Sequence, residues 1–164
     1  MKNPKEILAQ MTLEDKAALC DGADFWHLKG MEKYGIPSIM VCDGPHGLRK
    51  KDYNKTGSSL SCSVPPICFP TAVTTACSWD PDLLHEMGVA LGKKCLKEEV
   101  GVLLGPGVNM KRSPLCGRNF EYFSEDPVIS GKMASAIISG CASQGLVTTI
   151  KHFVLNDQES NRAG

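Results

Sequence analysis

Val147-Thr148-Thr149-Ile150-Lys151-His152-Phe153, with the polar run Asn156-Asp157-Gln158-Glu159-Ser160-Asn161-Arg162 close behind it, decides how this chain is read. The first four residues are apolar or β-branched, the signature of a strand buried on both faces. The run then ends on a Lys-His pair. A strand that presents an ammonium and an imidazole at its carboxyl end is placing chemistry rather than filling a core. In parallel α/β proteins, ligands bind at that end of the strands. The chain reaches Gly164 soon afterwards without a pattern that closes a domain. The expectation is therefore a site only partly contained in these residues.

Working outward, Ile36-Pro37-Ser38-Ile39-Met40-Val41-Cys42 reads as another buried strand, ending in the turn sequence Asp43-Gly44-Pro45-His46-Gly47. Ala72-Val73-Thr74-Thr75-Ala76-Cys77 and Val100-Gly101-Val102-Leu103-Leu104 read as two more strands. Between them, Asp80-Pro81 has the residue types of a helix cap and first turn, and Leu84, Met87, Leu91 and Cys95 recur on one helical face. Asp126-Pro127 opens another helix, with Ile129, Met133, Ile137 and Cys141 on one side and Gly145 as its end. Near the N-terminus, Thr12 and Asp15 are spaced as a capping box for a short helix. Residues 50–66 read as a polar loop, and residues 105–125 as a long one.

Non-alternating apolar strands alternating with helices mean parallel strands covered by helices. The expected fold is α/β, the first half of a (β/α)8 TIM-like barrel. Residues 1–35 would be a helical lead-in, and residues 36–164 a partial barrel of about four strands. The segment 43–71 contains no convincing helix, a departure from a clean repeat. The barrel is preferred to a small open sheet because Asp43, Arg118, Lys151 and His152 all fall at or after strand carboxyl ends. Those ends share one face, so residues distant in sequence can converge there.

Composition narrows the partners. Eighteen basic and eighteen acidic residues cancel, which leaves no footprint for nucleic acid or for an anionic membrane. The start of the sequence shows no apolar signal region, and no run approaches a membrane span. Eight cysteines are scattered without a C-x-x-C or a zinc-like spacing, so they read as free thiols of a cytoplasmic protein. No metal and no cofactor is expected. Gly105-Pro106-Gly107 starts like a dinucleotide loop, but Met110 stands where glycine is needed. His85-Glu86 lacks a second histidine four positions on, and there is no Gly-x-Ser-x-Gly elbow.

What remains is a mixed set: the carboxylate of Asp43, the guanidiniums of Arg49 and Arg118, the ammonium of Lys151 and the imidazole of His152. A sugar ring both donates and accepts hydrogen bonds, so such a set suits it. Each bond to a charged group contributes about 1.5–3 kcal/mol. Bland readings stand beside these. Asp43 before Gly-Pro is equally a turn residue, and Arg118 equally a surface cation. Glu125 and Asp126 read as helix caps. Asp157 and Glu159 read as loop carboxylates rather than a catalytic pair, His27 and His46 as structural, and Trp79 as packing. Trp26 stays open. Adjacent strand residues point to opposite faces. If Lys151 and His152 both serve one ligand, the backbone there must depart from regular trans strand geometry.

Four ordered motifs then carry a resemblance: Asp43-Gly44-Pro45-His46-Gly47-Leu48-Arg49, Gly105-Pro106-Gly107-Val108-Asn109-Met110, Gly117-Arg118-Asn119-Phe120-Glu121-Tyr122-Phe123-Ser124-Glu125-Asp126-Pro127, and Lys151-His152-Phe153. Together they closely resemble glycoside hydrolase family 3, and the likeness runs from about Met11 to the last residue. The resemblance implies a barrel domain and a retaining β-glycosidase acting on terminal β-D-glucosyl or related residues. It implies that Asp43 and Arg49 bind the far hydroxyls of a sugar, and Arg118, Lys151 and His152 the hydroxyls nearer the reacting carbon. A retaining enzyme needs two carboxyl groups about 5 Å apart. The family's nucleophile motif and its later acid/base glutamate do not occur in these residues, so no catalytic residue is expected in the chain. Val154-Leu155-Asn156-Asp157 follows Lys-His-Phe where the N-acetylglucosaminidase branch has a Gly-His-Gly type loop, which places the chain on the β-glucosidase and β-xylosidase side. The expected partner is a small carbohydrate, with possible association with itself or with a missing C-terminal part. The alternative is a non-catalytic half-barrel that binds sugar or assembles with a partner.

Overall fold

A computed structural model describes residues 3–57 and 62–162. Residues 58–61 of the expected polar loop, and the chain's last two residues, lie outside the described ones. In chain order the elements are α1 (Pro4–Gln10), α2 (Leu13–Leu19), β1 (His27–Leu28), β2 (Ile39–Asp43), α3 (Ala72–Ala76), α4 (Pro81–Lys97), β3 (Val102–Gly107), α5 (Pro127–Ser143) and β4 (Val147–Lys151). Single 3-10 turns occur at Glu32–Tyr34 and Asn119–Glu121.

The chain divides into two compact units, residues 1–41 and 42–164. In the first, Thr12 and Asp15 form the expected reciprocal capping box on α2. Asp15 also takes hydrogen bonds from Lys33 Nζ (2.7 Å) and Tyr34 Oη (2.5 Å). The strand β1 pairs antiparallel with β2, His27 opposite Met40 and Leu28 opposite Ile39. Trp26 is buried at 6% exposure.

In the second unit the caps behave as their residue types dictate. The Asp80 carboxylate accepts from the N–H groups of Asp82 and Leu83, and that of Asp126 from Val128 and Ile129. Each satisfies backbone donors that a helix start leaves free. The two 17-residue helices α4 and α5 pack through glycine: a Cβ on Gly140 would stand 2.2 Å from the carbonyl oxygen of His85. Leu84, Leu91, Cys95 and Cys141 are fully buried in this unit, with Val100, Leu103, Tyr122, Met133 and Ile137. Cys20, Cys42, Cys68, Cys77, Cys95, Cys116 and Cys141 are free thiols.

The strands β3 and β4 are parallel, with Val102 opposite Val147 and Gly107 opposite Lys151. Both Leu104 and Gly105 face Thr149, a bulge that bends β3 where Gly105 meets Pro45, at 2.8 Å from a notional Cβ. The Gly105–Pro106, Lys151–His152 and Phe153–Val154 bonds are cis. The backbone at Lys151–His152 therefore departs from regular trans strand geometry.

Two expectations are corrected. Ala72–Cys77 is not a strand but the short helix α3, which buries Ala72, Thr75 and Ala76 at helical spacing. Trp79 does not pack into a core: it is 70% exposed, with a positive φ of 54°.

Candidate functional site

The site starts where β2 ends. Asp43 is followed by Gly44 at φ 123°, where any Cβ would meet the Gly47 carbonyl oxygen at 2.0 Å. Only glycine fits there. The tight turn is closed by Gly47 N–H donating to the Gly44 carbonyl and Arg49 N–H to the Asp43 carbonyl. This brings the guanidinium back to its own strand end, and Arg49 Nη1 donates to Asp43 Oδ2 at 3.2 Å. From the end of β4, Lys151 Nζ donates to Asp43 Oδ1 at 2.7 Å. Burial raises the Asp43 carboxyl, but the hydrogen bond and charge of Lys151, with Gly44 N–H and Arg49, outweigh it. The group is held below the ordinary carboxylate value and is ionised near neutrality.

Arg118 sits in the long loop after β3, at the start of the 3-10 turn Asn119–Glu121. That turn returns Glu121 to Arg118, whose Nε donates to Glu121 Oε1. Glu121 is only 5% exposed, and its other oxygen lies 3.7 Å from Lys151 Nζ. A carboxylate so buried is tolerable because it is paired on both sides. Burial alone would lower the Arg118 guanidinium. The hydrogen bond and charge of Glu121 reverse that and hold it above its ordinary value.

His152 is fixed twice. Its N–H donates to Oδ1 of the buried Asn109 at 2.9 Å, and its ring Nδ1 lies 2.7 Å from Tyr122 Oη. The two rings meet edge to face at 84°. Asn156 Nδ2 reaches Tyr122 Oη at 2.8 Å and Glu159 Oε1 at 2.9 Å. Burial, then the charges of Arg118 and Lys151, push the His152 imidazole below 6.5, so it is neutral at neutral pH. His46 is also held low, by burial first; its Nε2 accepts from Ala72 N–H, the first residue of α3.

All five residues singled out in the sequence are thus in one network. Asp43, Arg49 and Lys151 touch directly, Arg118 joins through Glu121, and His152 adjoins through the backbone of Lys151. Two clefts open on four of the five, Lys151 lining neither. One of about 490 Å³ is lined by Asp43, His46, Arg49, Arg118, Phe120 and Arg162. The other, of about 460 Å³, is lined by His152, Asn156 and Glu159 among others. Arg118 and Arg162 line both.

Sequence reasoning missed Glu121, Tyr122, Asn109, Asn156 and Arg162. A carboxylate three residues after an arginine, between Phe120 and Tyr122, was the signal available for Glu121. Glu159 is more than a loop carboxylate, since it accepts from Asn156 and Arg162 and lies 3.8 Å from Arg118. Asp157 instead pairs with Arg112 at 3.0 Å. Among the described residues, no group of histidine, cysteine or carboxylate side chains is placed to hold a metal ion. Chemically the cluster is a set of fixed hydrogen-bond donors and acceptors of both charges.

Residues 12–161 match the model of the glycosyl hydrolase family 3 N-terminal domain. The chain is 56% identical over 158 residues to thermostable beta-glucosidase B of Acetivibrio thermocellus, covering 96% of this chain and 21% of that protein. It is 52% identical to an exo-alpha-(1->6)-L-arabinopyranosidase of Bifidobacterium longum, over 93% of this chain and 20% of that one. Among solved structures it superposes with a TM-score of 0.89 on beta-glucosidase from Kluyveromyces marxianus in complex with glucose, at 38% identity, covering 97% of this chain and 18% of that one. The TM-score is 0.85 on beta-glucosidase 3B from Thermotoga neapolitana in complex with alpha-D-glucose, at 39% identity, with coverage of 96% and 24%. The chain spans about a fifth of the length of the curated relatives it matches.

Proposed function

This chain belongs to glycosyl hydrolase family 3 through its N-terminal domain, and we propose that it is the sugar-holding portion of a retaining β-glycosidase acting on terminal β-D-glucosyl residues. The observation that carries the reading is the convergence of Asp43, Arg49, Arg118 and His152 on two adjoining clefts, with Lys151 tied to Asp43. In this reading Asp43 and Arg49 hold the hydroxyls far from the reacting carbon, and Arg118, Lys151 and His152 those nearer to it. Asp43 and Glu121 are each tied to two cations of the network, a binding role rather than that of a nucleophile and an acid facing one bond. The cleaving carboxyl groups then belong to residues outside this chain. Free thiols support a cytoplasmic setting.

Calorimetric titration of the chain with glucose tests the reading. Glucose binding that is lost in Asp43→Ala, with no turnover of an aryl β-glucoside, is the expected result. Turnover by the chain alone would sink the assignment of the cleaving groups, and failure of glucose to bind would sink the sugar-holding role. Because one relative is named for an L-arabinopyranosidase, an arabinopyranoside belongs in the same titration. A second reading, assembly with another chain, is favoured by β4, none of whose residues is buried and whose Val147 and Ile150 are exposed.

A further inference from the structure

The hydrogen-bond chain behind His152 has a direction, and the direction follows from which atoms can donate. Glu159 is engaged as a carboxylate by Arg162 Nη1 at 2.7 Å and can only accept. Its partner on Asn156 is therefore the amide nitrogen, at 2.9 Å. The same nitrogen's second hydrogen points to Tyr122 Oη at 2.8 Å, so that oxygen is an acceptor from Asn156. The phenol has one proton left to give. Among the described residues its only other hydrogen-bond partner is His152 Nδ1, at 2.7 Å. Tyr122 is 1% exposed, so the ring cannot swing its hydroxyl to bulk water.

We propose that Tyr122, oriented by Asn156 and Glu159, is a positioning residue that fixes His152 in the tautomer with its proton on Nε2. The imidazole then presents an N–H donor from Nε2, while Nδ1 is occupied as an acceptor. The backbone anchor to Asn109 holds the other end of the residue. A neutral imidazole with free choice of tautomer would offer donor and acceptor in turn to the same hydroxyl. Fixing the tautomer removes that ambiguity, as the hydrogen bond on one ring nitrogen generally decides the state of the other. No proton is transferred; the device sets which group donates. The role given to the donor rests on the sugar-holding reading above, whereas the tautomer itself does not.

Nitrogen-15 spectroscopy of the imidazole rings in the labelled chain, above the midpoint of the His152 titration, decides it. The expected spectrum has Nδ1 at the position of an unprotonated ring nitrogen and Nε2 at that of a protonated one. In Tyr122→Phe, which removes only the hydroxyl, the two signals should move toward each other as both tautomers populate. A wild-type Nδ1–H tautomer would overturn the proposal without any variant. So would an unchanged single tautomer in a folded Tyr122→Phe. Glucose titration of the same wild-type sample reads the functional assignment separately: failure to bind ends that assignment, and the ring spectrum still decides this one.

Discussion

Asp43 joins two parts of the site, because both of its oxygens are committed to cations that come from different parts of the chain. Removing it leaves Lys151 and Arg49 without their shared partner as well as deleting a ligand. Asp43→Ala is expected to weaken glucose binding at least tenfold, the equivalent of one charged hydrogen bond of about 1.5–3 kcal/mol, as read by titration calorimetry. Its pH dependence has a definite sign. The folded-state carboxyl lies below its ordinary 3.8, so its contribution to stability is fully present above 3.8 and is lost as pH falls through the lower folded value. Melting curves of wild type and Asp43→Asn should thus converge on strong acidification; a gap that widens there contradicts the assignment. His152 and His46 are also lowered, with the unfolded chain taking up protons first. Their neutral burial costs stability as pH falls below 6.5, and ring titrations should show both midpoints under that value. How much of this was legible residue by residue follows from physics. Asp43, Arg49, Arg118, Lys151 and His152 stand beside strand ends or glycine turns, which the chain announces. Tyr122 and Asn156 did not show, because their roles depend on a hydrogen bond across 34 positions.

Helices α4 and α5 were readable because their ends carry local signals, Asp-Pro at the start and, in α5, Gly145 just past the last turn. The helix α3 was misread as a strand for an equally physical reason. A run of five or six β-branched and small residues is ambiguous between the two periods. What settles it is His46 Nε2, which takes the first free N–H of α3 from 26 residues away. No local pattern reveals such a cap. Between α4 and α5, the packing of glycine on glycine gives a paired test. A Cβ at Gly140 would sit 2.2 Å from His85 O, 2.8 Å from Val89 N and 2.9 Å from Gly88 Cα, all backbone. Gly140→Ala is therefore expected to destabilise by about 1–3 kcal/mol in urea unfolding, despite the better helix propensity of alanine. On the same helix, nothing lies within 4 Å of a Cβ at Gly131, so Gly131→Ala should gain up to about 1 kcal/mol. Equal effects at the two positions would mean that the helices do not approach as closely as their glycines indicate.

At the scale of the whole molecule, β4 is where the reading of a buried strand and the observed surface part company. Its sequence is that of a strand covered on both faces, yet none of its five residues is buried. Among the described residues β4 pairs only with β3. Val147 and Ile150 are exposed, and directly after the strand come Phe153, at 96% exposure, with Val154 and Leu155. Ile150, Phe153 and Leu155 also line an apolar cleft of about 160 Å³ with Val108 and Met110. A free strand edge beside contiguous apolar side chains is a template for another chain. The apolar composition of β4 is thus consistent with a partner surface rather than with a core inside these residues. The chain in isolation should self-associate as its concentration rises, and Ile150→Lys, which puts a charge in the middle of that face, should shift the equilibrium toward monomer. Sedimentation velocity across a hundredfold concentration range reads both. If the wild-type chain stays a single monomeric species throughout, the face is not adhesive and the strand's composition needs another explanation. If association persists unchanged in Ile150→Lys, the contact lies elsewhere on the molecule.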